Sequence, residues 1–372
     1  MPKEKRNAAS ETPTALAPRL DLVRLVLTTL VVVLGAATVV AYYAGRAEAG
    51  MGLRVDNRPL PAEVPPANFQ IVNAHDHLYR ERDLPKYLRA AEQTGIVRTL
   101  FVASSDFTFK GAEFKPDVGN EWSSREVLKC AQQNPGKIIP FVTMHPNDQN
   151  KIPLLEEYIG LGAKGIKLYT GHGNFHDRPF DVPEMQEFYA FCEQKQFPIV
   201  WHVNLGKYAD DFKGILAKYP KLKVIVPHFG VGFYQPGGDI MQEMGRLLDQ
   251  YPNLYTDTSF GTRDILVQGL ERVSGNPEPF RGFYEKYQDR IVWGTDMVIT
   301  GNKEKTTPWI ASCIRACRDM HEKDDYTFWM AADGSQYSTG KNIYGRLRGL
   351  KLAESILRKI YETNIQKILG EV

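Results

Sequence analysis

Residues 71–79 read IVNAHDHLY, and RERD follows at 80–83. The apolar, β-branched start predicts a strand over Gln70–His77. It is apolar on both faces, as in a parallel sheet covered by helices. The residues that end it narrow the choice of fold. A doubly wound open sheet places a glycine-rich phosphate turn after its first strand, whereas HDHLYRERD contains no glycine. Residues i and i+2 of a strand point to one face, roughly 6.5–7 Å apart along the chain. His75 and His77 can therefore approach one metal ion together while Asp76 points away. An HxH pair alone is only moderately specific, so the surrounding pattern has to carry weight.

Outward from this strand the chain alternates. Further strands are predicted at Arg98–Ala103, Ile138–Met144, Gly165–Tyr169, Ile199–Val203, Lys223–His228, Leu254–Thr258 and Ile291–Gly294. Amphipathic helical patterns fill the gaps at Leu84–Gln93, Ser124–Gln133, Ile152–Leu161, Pro183–Gln194, Tyr208–Lys218, Ile240–Gln250, Asp264–Val273 and Pro308–Met320. Eight βα units in about 260 residues predict an α/β fold, a (β/α)8 TIM barrel. Residues 323–350 read as irregular and suited to covering one barrel end. Leu352–Leu369 reads as a closing helix.

The 372 residues carry 46 Lys+Arg against 44 Asp+Glu, 11% aromatics and 4 Cys. Disorder is excluded by that composition. Residues 1–49 hold six basic and four acidic residues, which leaves 40 of each sign in the remainder. A neutral body is a poor nucleic-acid binder, because that affinity rests on neutralising phosphates. The cysteines form neither a disulfide framework nor a CxxC motif, and are expected as buried thiols.

Leu25 to Gly45 is an uncharged run of 21 residues, LVLTTLVVVLGAATVVAYYAG. At 1.5 Å per residue a helix of this length spans a ~30 Å hydrocarbon core. An uncleaved anchor is the preferred reading over a cleaved signal peptide, although Ala47-Glu48-Ala49 fits an A-x-A cleavage site. The expected organisation is a cytoplasmic tail (1–24), a transmembrane anchor (25–45), a linker (46–66) and a barrel (67–372). Arg19 and Arg24 precede the run, so the expectation is a single-pass membrane protein with its barrel on the exported side, periplasmic or extracellular.

Of eight histidines, His75, His77, His202 and His228 fall at or near C-terminal ends of predicted strands. Barrel enzymes gather their reactive groups at that end. A single His after an apolar run, as in PIVWHVN or VIVPHFG, is more often a satisfied core residue. Two on adjacent strands of a fold carrying HxH are harder to dismiss. Asp296, in RIVWGTDM, lies just past the eighth strand, where a buried carboxylate needs a partner. Imidazoles with a carboxylate suit Zn2+ and comparable divalent ions. Lys167 on the fourth strand can bind a substrate carboxylate, pair with Asp296, become carboxylated and bridge two metals, or snorkel from the rim.

The ordered phrases IVNAHDHLY, GIKLY, VWHVN, VPHFG and VWGTDM, closing with IYETNIQKILG, resemble the amidohydrolase superfamily, nearest its amidohydrolase-related ("amidohydrolase 2") branch. The resemblance spans roughly residues 70–370, and the N-terminal run and residues 323–350 depart from it. It implies a metal held by His75, His77, His202 and Asp296, with His228 near the reacting group. In binuclear relatives a carboxylated lysine at the position of Lys167 bridges two ions, and His202 with His228 holds the second. Zn2+ is the first expectation and Mn2+ the alternative, as one ion or two.

The implied chemistry is hydrolysis of an amide, ester or lactone in a small molecule. Asp296 would serve as general base, and His228 as oxyanion stabiliser or proton shuttle. Non-oxidative decarboxylation of a small carboxylic acid, aromatic acids included, is the alternative reaction, with Tyr169, Lys167, Arg178 or Arg263 receiving the acid. A non-catalytic, membrane-tethered ligand-binding barrel is the third reading, and a missing metal ligand would have favoured it. His145, His172 and His176 follow strands three and four and are weaker candidates for the substrate mouth. Nothing in the sequence excludes self-association.

Overall fold

The computed structural model describes residues 54–56, 68–104, 121–146, 148–171, 180–231, 240–261, 263–303, 305–330 and 342–372. Its strands are β1 (Arg54–Asp56), β2 (Ile71–Leu78), β3 (Ile96–Ala103), β4 (Ile138–Thr143), β5 (Gly165–Leu168), β6 (Ile199–Trp201), β7 (Val224–Val226), β8 (Leu254–Asp257), β9 (Ile291–Val292), β10 (Met297–Ile299), β11 (Asp325–Met330) and β12 (Asn342–Arg348).

The nine strands β2–β10 make one sheet in the order β10-β2-β3-β4-β5-β6-β7-β8-β9, and every pairing in it is parallel. Its two outer members, β9 and β10, are separated in sequence only by Trp293–Asp296. These four residues carry the connection to β2: the Ala74 N–H donates to Trp293 O at 2.8 Å, and the Asp296 N–H to His75 O at 2.7 Å. β9 and β10 thus share the eighth place of a parallel α/β arrangement consistent with a TIM barrel. Gly294 makes the close approach feasible, since a Cβ there would lie 2.9 Å from His75 Cβ and 3.2 Å from its backbone nitrogen.

The helix Leu84–Gln93 illustrates how the outer layer is specified. Pro85 sits at the helix start, where its missing N–H costs nothing. Leu84, Tyr87, Ala90 and Ala91 recur at helical spacing and are buried, and Gly95 leaves the helix at φ +74°. Inside the sheet, Val72, Ala74, Leu100, Val102, Ile139, Phe141, Val200, Ile225 and Val292 form one core cluster. Ile365 and Ile368, from the helix Asn364–Leu369, complete it.

A β-bulge in β2 decides where the HDH motif points. Asn73 pairs with Thr99 and Asp76 with Phe101, so three steps on β2 oppose two on β3. Simple alternation from the core residues Val72 and Ala74 would send position 76 inward. The bulge resets the phase and turns His75 and His77 inward instead.

Residues 323–350, expected to be irregular, hold the antiparallel pair β11–β12, with β1 on its far edge. Asp325–Met330 alternates between exposed and buried positions, the signature of a half-buried strand. Its ladder is made with β12, which begins twelve residues further on. It packs beside the helix Thr307–Glu322, and β12 reaches the helix Arg263–Gly275, where the Arg348 N–H donates to Ser274 Oγ. The helix Pro277–Tyr287 was also unforeseen. The four cysteines are free and buried, as expected.

The expectation of a single-pass membrane protein with an exported barrel is corrected. Among the described residues no helix is long and apolar enough to cross a membrane. The helix Thr307–Glu322, at 16 residues, rises only ~24 Å at 1.5 Å per residue and carries Arg315, Arg318 and Asp319. The run 25–45 on which that expectation rested lies outside the described residues.

Candidate metal centre

The reactive side chains converge at the C-terminal ends of the strands. β2 supplies His75 and His77, β5 supplies Lys167, the residues just after β6 and β7 supply His202 and His228, and Asp296 lies between β9 and β10. Asp296 Oδ1 is 3.4 Å from His75 Nε2 and 2.8 Å from His77 Nε2, while its Oδ2 is 3.5 Å from His228 Nε2. Ligand atoms of His75, His228 and Asp296 all lie within 4.8 Å of one another. A tetrahedral ion with bonds near 2.0–2.1 Å requires its ligand atoms ~3.4 Å apart. The His75–Asp296 and His228–Asp296 separations fit that requirement.

The opposite nitrogens of these rings are held in place. His75 Nδ1 is 2.7 Å from Asp257 Oδ2, and a carboxylate accepts, so Nδ1 carries the proton and Nε2 keeps its lone pair. His228 Nδ1 donates to the carbonyl oxygen of Ser259 at 2.9 Å, which leaves its Nε2 lone pair facing Asp296. His77 Nδ1 is 2.7 Å from Ser104 Oγ, and a hydroxyl serves either tautomer. Carboxylate or carbonyl partners behind imidazoles are the usual way of orienting metal-binding histidines. The residues therefore fit a divalent ion.

Charge supports the same conclusion. Burial, then the neighbouring Lys167, lowers the His75 pKa, and burial takes His77 down to about 4. Both rings are neutral near pH 7, the form that offers a lone pair. Burial works against the Asp296 charge, but His75, His228 and His77 outweigh it and hold the carboxyl well below the ordinary carboxylate range. Lys167 is wholly buried, with Nζ 3.2 Å from His75 Nε2, and burial takes its pKa down to about 8. It does not snorkel from the rim.

Two residues of the site adopt backbone conformations that non-glycine residues avoid. His228 has φ +58° and Asp296 has φ +53°. Such strain persists where surroundings impose it and concentrates at functional positions.

The other candidates are placed unevenly. His202 is partly buried and its ring lies edge-on to His228, centroids 4.9 Å apart. Tyr169 is buried, donates to Ala103 O at 3.1 Å and has its ring 6.3 Å from that of His77. His145, expected as a loop residue at the mouth, is buried after β4, with its backbone N–H donating to Asp148 Oδ2. His172, His176 and Arg178 lie outside the described residues. Arg263 opens the helix Arg263–Gly275, and its side chain is likewise outside the description.

Asp257 was missed. It ends β8, is wholly buried and accepts four hydrogen bonds. His75 Nδ1 donates to Oδ2, while the His228 N–H at 3.0 Å, the Ser259 N–H at 3.0 Å and Ser259 Oγ at 2.5 Å all donate to Oδ1. Burial opposes its charge, but His75 and these hydrogen bonds prevail and lower its pKa to about 2. The rule that singled out Asp296, an acid at a strand's C-terminal end, would have found it in LYTDT.

Among solved structures, one of an amidohydrolase II superposes with a TM-score of 0.52 at 14% identity, covering 81% of this chain and 100% of the other. An uncharacterised TIM-barrel protein from Bordetella bronchiseptica gives 0.50 at 15% identity, covering 82% and 99%. An amidohydrolase from Burkholderia multivorans with bound zinc gives 0.50 at 10% identity, covering 81% and 99%. At such identities the likeness is one of fold. No curated protein is similar enough in sequence to match. The Amidohydro_2 family model, described as amidohydrolase, matches residues 103–370, a range that includes Lys167, His202, His228, Asp257 and Asp296. With most of its length inside that match, the chain belongs to the amidohydrolase family, in its amidohydrolase 2 branch.

Proposed function

We propose that the chain is a metal-dependent hydrolase that cleaves an amide, ester or lactone in a small molecule. The observation that carries this reading is the convergence of imidazole Nε2 atoms on the Asp296 carboxylate, each ring oriented from behind. His75, His77, His202 and Asp296 would hold one divalent ion, and a second would need His228 together with Lys167 in carboxylated form, since an ammonium has no lone pair to offer. Zn2+ and Mn2+ both suit this donor set. A divalent ion, when bound, acts as a Lewis acid and brings the pKa of water toward ~7.

The chain's own groups divide the proton work. Asp296, held ionised, takes a proton at a carboxylate oxygen and returns it to the leaving group. His228 donates through Nδ1 to Ser259 O, so its Nε2 in the neutral ring accepts rather than donates. That favours proton shuttling over oxyanion stabilisation for His228. Tyr169, beside His77, and the Lys167 ammonium would orient the substrate.

A second reading is kept because Lys167 places a cation within the site. That is what a carboxylate-bearing substrate requires, and it would suit non-oxidative decarboxylation of a small acid. The purified chain, assayed for bound metal and then against lactones, esters, amides and aromatic acids, tests both readings. Water incorporation supports hydrolysis, and CO2 release supports the lyase. His75→Ala should lose metal and activity together, and full activity without metal refutes the reading.

A further inference from the structure

We infer that Asp76, the middle residue of the HDH motif, is a positioning residue that fixes Asp296 in its strained conformation through Thr295 and Met297. This rests on the proposed role of Asp296 as a metal ligand.

The bulge that turns His75 and His77 inward leaves Asp76 facing the helix layer, where it is wholly buried. Among the described residues its carboxylate has neutral hydrogen-bond donors: Asn73 Nδ2 at 2.7 Å, Thr295 Oγ1, the Met297 N–H at 2.8 Å and the Tyr87 hydroxyl. A buried carboxylate without a paired cation is a costly choice, and an apolar residue would pack there more favourably. The expense needs a reason, and its partners supply one. Thr295 and Met297 flank Asp296, whose φ of +53° lies in the left-handed region that L residues avoid.

Strand β2 lays down a template for the whole turn. The Thr295 N–H donates to Asn73 Oδ1 at 3.2 Å, the Asp296 N–H to His75 O at 2.7 Å, and the Met297 N–H to Asp76. Each consecutive amide of 295–297 is therefore held by one of three residues of β2. His75 belongs to the same four-residue stretch, so a single strand sets the position of one imidazole and one carboxylate relative to each other. Without the Asp76 oxygens, the Met297 amide and the Thr295 hydroxyl lose their acceptor. The turn can then relax toward ordinary φ, which swings the Asp296 carboxylate away from His75 and His77.

The test uses the full chain with Co2+ alone as the probe, read by its visible d–d band and by affinity. Asp76→Ala should weaken Co2+ binding about 10–100-fold, the range for residues that orient ligands, and move the band toward that of Asp296→Asn. Thr295→Val should shift both in the same direction by less, and Thr295→Ser should restore them. A purely structural role would lower the melting temperature of Asp76→Ala and leave band and affinity at wild-type values, which overturns the proposal. If Asp76→Ala does not fold, Thr295→Val decides, and a wild-type band there overturns it. Wild-type protein without Co2+ uptake, or Asp296→Asn with an unchanged band, refutes the metal reading and the positioning role with it. An Asp296-dependent band with an unaltered Asp76→Ala refutes the positioning role alone.

Discussion

Replacing Asp257 by asparagine exchanges one oxygen for an NH2 group and should lower metal affinity without unfolding the protein. Oδ1 of Asp257 accepts three hydrogen bonds, from the His228 N–H, the Ser259 N–H and Ser259 Oγ, while Oδ2 accepts one, from His75 Nδ1. The asparagine oxygen is therefore committed to the three-bond side, and its NH2 must face His75. Two donors cannot share that contact, so His75 moves its proton to Nε2, the atom aimed at Asp296. Recovering the lone pair at Nε2 means facing two N–H groups at 2.7 Å. A lost buried hydrogen bond of this type costs about 1–3 kcal/mol, or roughly 5–140-fold in affinity at 1.4 kcal/mol per tenfold. Competition between the protein and a chelator for Zn2+ measures the change directly. Circular dichroism should show the fold intact, because three of the four bonds survive. Affinity within twofold of wild type would show that His75 does not depend on Asp257 for its tautomer.

Three further outcomes are expected. Gly294→Ala places a methyl 2.9 Å from His75 Cβ and should cost about 1–3 kcal/mol by overpacking, seen as a lower urea midpoint together with weaker metal binding. His321→Phe removes one partner of Tyr284, whose hydroxyl lies 2.8 Å from His321 Nε2 in a buried pair. It should destabilise by about 1–3 kcal/mol and leave metal affinity untouched, and any change in metal binding would contradict a structural role for this histidine. Metal added at a thousand times its dissociation constant should stabilise the fold by about 4 kcal/mol, so chelation should lower the melting temperature reversibly, and an unmoved melting temperature would count against a bound ion.

Much of the barrel was legible because its signal is local. Short apolar runs alternating with amphipathic ones fix strand order, and strand ends of a parallel sheet share one mouth. His75, His77, His202, His228 and Asp296 could be grouped on that rule alone. What escaped notice depends on pairing between distant segments. The phase of β2 is reset by its register with β3 and by residues 293–296, so no alternation within IVNAHDHL reveals that Asp76 is buried rather than solvated. Ser104 and Ser259 are single polar residues after strands, with no spacing to mark them, yet they orient His77 and His228. Asp257 was detectable and overlooked. The β11–β12 pair hid because DYTFWM and NIYGRLR acquire meaning only as partners.

The helix Asn364–Leu369 sends Ile365 and Ile368 into the cluster formed by inward residues of β2, β3, β4, β6, β7 and β9. Its Asn364 side chain also donates to Ile291 O at 2.7 Å, at the strand leading to Asp296. Synthesis proceeds from the other end, so all nine parallel strands leave the ribosome before the residues that close their floor. Until then the interior is lined by apolar side chains open to water, an aggregation hazard for a fold built on distant pairings. The demand for chaperone protection thus lasts until Asn364–Leu369 has emerged and covered this end of the sheet.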